Sequence, residues 1–270
     1  LGYDNASRYF HMSSAGGGTG VTQSRCRLGA DGTARFDSTP TTVNSISLRI
    51  QSHKTRTVDD NNGIVFFDEV NHSQAAIAVQ KKSTSNATSD LVFRTSSGQV
   101  VGTLQGIPER MRLNSEGELT IPYQPSFYAT ANSGGTVTMT STHVLTNWRL
   151  STSGKTYDIG SNFNTSNGRF TAPVSGKYLF TASILLSGYD QASGIHMIWR
   201  KNGSNFQYWY NTRTSDIDRS GFGGYLAQGS TTTFTLSAND YIEVACNFNG
   251  TLKLWCGDAN WGHFSGHLLG

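Results

Sequence analysis

The chain has 270 residues, 36% hydrophobic and 14% charged, with 30 glycines and a formal net charge of +3 at pH 7. Its length leaves room for one or two packed domains, and nothing in it reaches the eighteen or so consecutive apolar residues of a membrane-spanning helix. Twelve basic residues face eleven acidic ones in 1–124, and nine face seven in 125–270, so no basic tract marks a nucleic-acid partner.

Abundant Gly, Ser, Thr and Asn with only short apolar runs favour strands and turns, and no amphipathic helix stands out. The expected class is all-β. No charged start followed by an apolar core marks a secretory signal. With Leu1 at its start, the chain reads as processed or as a piece of something longer.

In chain order, Gly16-Gly-Gly-Thr-Gly-Val-Thr has the glycines of a phosphate loop but no lysine and no following helix, so it reads as a turn. A weak repeat then organises residues 1–124. Arg27-Leu-Gly-Ala-Asp-Gly-Thr-Ala-Arg-Phe reaches Pro40, and Arg112-Leu-Asn-Ser-Glu-Gly-Glu-Leu-Thr-Ile reaches Pro125, with the same Arg-Leu, acid-Gly and proline offsets. Upstream, Tyr9-Phe-His-Met-Ser-Ser answers Val92-Phe-Arg-Thr-Ser-Ser. Each copy therefore predicts a strand, a loop, an Arg-Leu strand, an acid-Gly turn and a further strand. Between the copies, 46–50, 64–67 and 75–80 read as strands. A unit so poor in large hydrophobics needs partner chains to supply its burial.

Residues 125–270 read as a second domain. Past Gly176 the chain alternates: Tyr178, Phe180, Ala182, Ile184 and Leu186 share one face, and Lys177, Leu179, Thr181, Ser183 and Leu185 the other. The second face, mixing leucines with hydroxyls, suits a surface covered by another layer or another subunit. Asn202-Gly203 marks a hairpin turn. On the strand after it, Phe206, Tyr208 and Tyr210 should share a face, with Trp209 opposite. Three cysteines, 26, 246 and 256, fit no metal spacing. Cys246 continues the alternation of Ile242 and Val244 and reads as a buried thiol, with a Cys246–Cys256 disulfide as the alternative.

The chemistry-bearing residues offer binding rather than catalysis. Asp216 and Asp218 face the same way on an extended segment, but the only glutamate after residue 125 is Glu243, on an expected strand, so no acid and base pair is completed. His263 and His267 would lie about 13 Å apart along a strand, too far to share one ion within a chain; three copies of one of them around a trimer axis could. No catalytic residue, metal set or cofactor is expected. Trp209, Trp255 and Trp261, beside loops rich in Gly, Asn and Asp, could stack on sugar rings while Arg213, Asp216, Asp218, Arg219, Asp258 and Asn260 bond the hydroxyls.

Two resemblances give these readings a frame. Phe163-Asn-Thr-Ser-Asn-Gly-Arg-Phe-Thr-Ala-Pro-Val-Ser-Gly-Lys-Tyr-Leu-Phe resembles the signature of the globular heads of complement and tumour-necrosis-factor-like proteins. Pro125-Ser-Phe-Tyr-Ala, Trp199-Arg-Lys-Asn-Gly, Thr233-Phe-Thr-Leu-Ser-Ala-Asn-Asp-Tyr-Ile-Glu-Val and Phe264-Ser-Gly-His-Leu-Leu continue the likeness in order. It implies a ten-stranded jelly roll that assembles as a trimer. Against that pattern, residues 211–229 look like an expansion between two core strands, and loops on a rigid scaffold are where recognition concentrates. Asp90-Leu-Val-Phe-Arg-Thr followed by Glu109-Arg-Met-Arg-Leu-Asn-Ser-Glu-Gly is similar to shaft segments of bacteriophage tail fibres. The first copy departs from it, with Ser24 and Cys26 where Glu109 and Met111 stand. This likeness implies an intertwined trimeric shaft over 1–124 below a receptor-binding head over 125–270.

The expectation is the distal part of a homotrimeric tail fibre, a virion protein assembled in the host cytoplasm. It would adsorb to a host cell-surface glycan or lipopolysaccharide and join other tail proteins through chain preceding residue 1, with no nucleic-acid partner and no membrane insertion. A polysaccharide-degrading tail spike and a secreted head-domain protein binding a protein ligand are the alternatives.

Overall fold

The computed structural model describes residues 2–4, 9–11, 24–28, 34–38, 58–59, 61–68, 72–83, 88–98, 104–132, 135–140, 143–151, 154–188, 192–213, 224–256 and 260–270. These carry strands and one short 3-10 turn, Leu104–Gly106, and no α-helix. Two compact units are present, residues 1–91 with 96–107, and residues 92–95 with 108–270.

In the first unit, β1 (Gly2–Asp4) pairs antiparallel with β2 (Tyr9–His11), and β3 (Ser24–Leu28) with β4 (Ala34–Ser38). β5 (Asn61–Phe67) pairs with β6 (Ser73–Lys81). The expected strand at 46–50 lies outside the described residues. Gly63 is needed in β5, because a Cβ there would sit 2.2 Å from the Ile77 carbonyl oxygen. One face of the β5–β6 hairpin buries Ala76 and Ala78. The other presents Ile64, Phe66, Ile77 and Val79, all exposed, Phe66 by 52%.

β7 (Ser89–Thr95) ends in the second unit, which continues with β8 (Glu109–Leu113) and β9 (Leu119–Thr120). Leu113 opposes Leu119 just as Leu28 opposes Ala34, so both copies of the sequence repeat fold into hairpins of the same register. In the second copy Asn114 builds the turn. Its side-chain oxygen accepts the Glu116 and Glu118 amides at 3.0 and 2.8 Å, and Gly117 takes φ +88°.

From residue 126 the chain forms a two-layer sandwich. Its strands are β10 (Ser126–Ala131), β11 (Gly135–Met139), β12 (His143–Val144), β13 (Trp148–Arg149), β14 (Tyr157–Ile159), β15 (Phe163–Asn164), β16 (Arg169–Thr171), β17 (Gly176–Ser187), β18 (Ala192–Lys201), β19 (Ser204–Thr212), β20 (Tyr225–Leu236), β21 (Tyr241–Gly250), β22 (Leu252–Cys256) and β23 (His263–Leu268). One sheet contains the order β10-β23-β17-β20, and the other β16-β21-β18-β19. Among β10, β16, β17, β18, β19, β20, β21 and β23, every successive pair crosses between the sheets except the β18–β19 hairpin, the connectivity of a jelly roll. The resemblance implies ten strands. The sheets hold eight and six segments, because two- and three-residue pairings such as β12, β13 and β15 are added at their margins.

β17 organises the sandwich. It pairs with β20 from Gly176 to Ser187 and, on its other side, with β23 and β22. Tyr178, Phe180, Ala182, Ile184 and Leu186 all point into the core, as the alternation requires. Above them Phe127 stacks on Phe163 and Phe170, with ring centroids at 4.4 and 5.1 Å, and Phe264 meets Phe127 edge-on at 4.9 Å.

That aromatic layer fits because β23 carries a glycine. A Cβ on Gly266 would lie 2.6 Å from the Phe180 ring and 2.7 Å from the Phe127 ring. Gly266→Ala should therefore overpack the core and destabilise the head by about 2 kcal/mol, read as a lower urea midpoint with an unchanged slope.

Candidate functional site

The strand expected to display aromatics is β19, an edge of the six-stranded sheet. Its pairing with β18 shifts register twice, between Met197 and Ile198 and between Trp199 and Arg200. Each shift adds a residue to β19 and resets its alternation. The expected common face of Phe206, Tyr208 and Tyr210 is therefore split. Trp209 and Tyr210 both pack against the core, Trp209 at 6.0 Å from Trp199. Phe206 leans on Phe234 at 5.2 Å yet stays 61% exposed, and Tyr208, 53% exposed, stands beside His196. The turn before it is as expected, with positive φ at Asn202 (51°) and Gly203 (78°).

The other site residues lie on separate elements. Arg213 is exposed just beyond β19. Asp216, Asp218, Arg219 and Asp258 lie outside the described residues. On β22, Trp255 sits opposite Thr136, and its ring meets Tyr225 edge-on at 5.4 Å. Asn260 accepts a hydrogen bond from the Lys155 ammonium, and neighbouring Trp261 is 55% exposed. Among the described residues no ring contact joins Trp209 to Trp255 or Trp261.

His263 and His267 lie along β23 opposite Ser183 and Leu179. His263 stacks on Tyr128 with centroids at 5.2 Å, and His267 Nε2 is 3.0 Å from the Tyr157 hydroxyl oxygen. No group of three His, Cys, Asp or Glu residues able to hold a metal occurs among the described residues. Cys246 is a free, buried thiol, as its alternation suggests, and burial pushes its pKa up to about 12.

Sequence reading missed how the surface charges are used. Glu243 is wholly buried, with Arg169 Nε 2.8 Å from one carboxylate oxygen and Arg200 Nη1 3.0 Å from the other. Arg169 also stacks over the Tyr241 ring at 4.3 Å. Asp240 accepts from Asn202 Nδ2 and the Ser237 amide and pairs with Lys201 at 2.8 Å. Hydrogen bonds from Lys201 and Asn202 hold its carboxyl down at about 2. Arg169, Arg200 and Glu243 are direct cross-strand neighbours, a cue that becomes readable only once the pairing is known.

No protein-family model matches the chain. The chain is 32% identical over 102 residues to the uncharacterized protein YqcC of Bacillus subtilis (strain 168), a match covering 36% of this chain and 28% of that protein. It thus spans less than a third of that relative's length. Among solved structures, the Eiger TNF of S. frugiperda aligns at 12% identity over 54% of this chain and 93% of its own, with a TM-score of 0.41.

Burial lowers the pKa of His263 from its ordinary 6.5. In the window just below that value the unfolded chain binds a proton that the folded chain does not, so stability should fall as pH falls. His263→Gln removes this term, and its urea midpoint should change less than the wild type's between about pH 7 and pH 5.

Proposed function

We propose that the chain is the distal part of a trimeric bacteriophage tail fibre whose jelly-roll head attaches to the host cell surface without catalysis. The observation that carries this reading is the apolar face of the β5–β6 hairpin. Ile64 opposes Ile77, Phe66 and Val79 lie on the same face opposite Ala75 and Asn62, and all four remain exposed. A contiguous apolar sheet face of this kind calls for a partner, and copies of the same chain supply one of matching chemistry.

A second stripe precedes the head. Leu113, Leu119, Ile121 and Tyr123 are all exposed, and the Arg110 guanidinium lies 4.7 Å over the Tyr123 ring. Strands that leave these residues exposed suit an interwoven shaft, as the tail-fibre resemblance implies. In the head, the Glu243 carboxylate is held by two arginines inside the fold and is unsuited to move protons on a substrate. The reading is a binding role, with exposed Trp261, Asn260 and Arg213 as described members of the expected site that a ligand can reach. Three weak sites on one trimer, and several fibres on one virion, give avidity without high affinity at any site.

Two outcomes are expected. Light scattering should give a trimer mass at micromolar concentration, and Phe66→Lys with Ile77→Lys should abolish it, since each buried side chain lost to the interface removes about 2 kcal/mol; a folded wild-type monomer overturns the assembly. Fluorescently labelled protein should adsorb saturably to cells of at least one strain in a bacterial panel, without releasing reducing sugar from their polysaccharide. Adsorption to none overturns the attachment role, and sugar release replaces it with a degrading one.

A further inference from the structure

On the outer face of the six-stranded sheet, the two bulges in β19 leave Tyr208 directly opposite Ile198 of β18, which is fully buried. Tyr208 itself is 53% exposed. Its ring is nevertheless fixed in place. The His196 ring meets it edge-on at 5.8 Å with planes 77° apart, and Asn205 Nδ2 donates to its hydroxyl oxygen at 3.2 Å. Asn211 lies opposite His196 in the register and is also exposed.

The charged side chains of β18 are already paired. Arg200 pairs with Glu243, and Lys201 with Asp240. Between Lys201 and Arg213 the chain has no charged residue. What remains is a half-exposed aromatic ring touched by the Asn205 carboxamide and the His196 imidazole, with Asn211 across from His196.

Such a surface matches one ligand chemistry. A pyranose offers a flat array of C–H bonds that covers an aromatic face, and equatorial hydroxyls that both donate to and accept from amides. β18 and β19 themselves present no uncommitted cation for an acidic sugar or phosphate, and exposed Arg213 lies beyond the end of β19. We propose that Tyr208, with Asn205, Asn211 and His196, forms a platform for a neutral pyranose of the surface glycan; this rests on the attachment role proposed above. The platform is distinct from the tryptophans that sequence reading put forward.

The test is saturation-transfer NMR on the full chain with the methyl glycosides of glucose, galactose, mannose and N-acetylglucosamine, and with methyl glucuronide as the acidic comparison. At least one neutral glycoside should bind saturably. Tyr208→Ala should weaken it by about tenfold or more, and Tyr208→Phe, which keeps the stacking face, by no more than about threefold. Should Tyr208→Ala fail to fold, Asn211→Ala carries the test, with a loss of about fivefold expected. No neutral glycoside bound, binding indifferent to Tyr208→Ala (or to Asn211→Ala in its place), or tighter binding of the glucuronide overturns the platform. Cell adsorption separates the two proposals. Wild-type adsorption that Tyr208→Ala leaves intact sinks the platform alone, whereas a wild type that adsorbs to no cell sinks the attachment role.

Discussion

The head depends on the packing of Phe127, Phe163, Phe170 and Phe264 in the gap between two sheets, and on Gly266, the residue whose missing side chain lets the rings meet. These aromatics come from β10, β15, β16 and β23, so one layer joins strands from both ends of the domain sequence. Interiors are packed like crystals, and a single added methyl at such a point displaces ring against ring. Once the layer is in place, β17 has no freedom of register. It is held on one side by β23 and along its whole length by β20.

The same rigidity explains the surface. Trp199 fills the core between Phe180 and Phe234, and its indole N–H donates to Ser230 Oγ at 3.0 Å. β19 must run past this large residue as the last strand of its sheet, and it does so with a register shift on either side of the Trp199 and Ile198 pairs. Bulges at an edge also discourage further strands from adding. The consequence reaches beyond pairing, since the shifts turn Trp209 inward and leave Tyr208 outside. The register shifts beside Trp199 thus decide which β19 aromatics face outward.

Much of this was legible in the sequence where one strand face is buried throughout. The five inward residues of β17, the Cys246 thiol and the Asn202-Gly203 turn follow from period-two alternation and turn chemistry alone. The repeat was legible for a similar reason, because an acid-Gly turn with fixed offsets specifies a hairpin, and both copies share a register. β19 was not legible. A period-two count fails at the first inserted residue, and nothing in Phe206-Gln-Tyr-Trp-Tyr marks where an insertion falls. Charge pairing was hidden too, since Arg169, Arg200 and Glu243 are far apart in the chain and meet only across β16, β21 and β18. Of the expected site, Asp216, Asp218, Arg219 and Asp258 lie outside the described residues.

The two kinds of exposed surface differ in a way that bears on function. On the β5–β6 hairpin the outward residues are Ile64, Phe66, Ile77 and Val79, side chains that gain only by leaving water. On β18 and β19 they include His196, Asn205, Tyr208 and Asn211, which keep polar groups available beside an aromatic ring. The first set favours permanent burial against a like surface, since nothing in it rewards solvent contact. The second set is stable in water, and a ligand there would have to satisfy both the ring and the amides. Buried ion pairs sharpen this contrast. Breaking the Glu243 group would leave an uncompensated charge inside the fold, a loss of roughly 3–5 kcal/mol, so Arg200 stays committed and is not released to recruit anions. In the reading proposed above, assembly and recognition would use surfaces of different chemistry, and a substitution that polarises the hairpin face should leave the Tyr208 face chemically as it was.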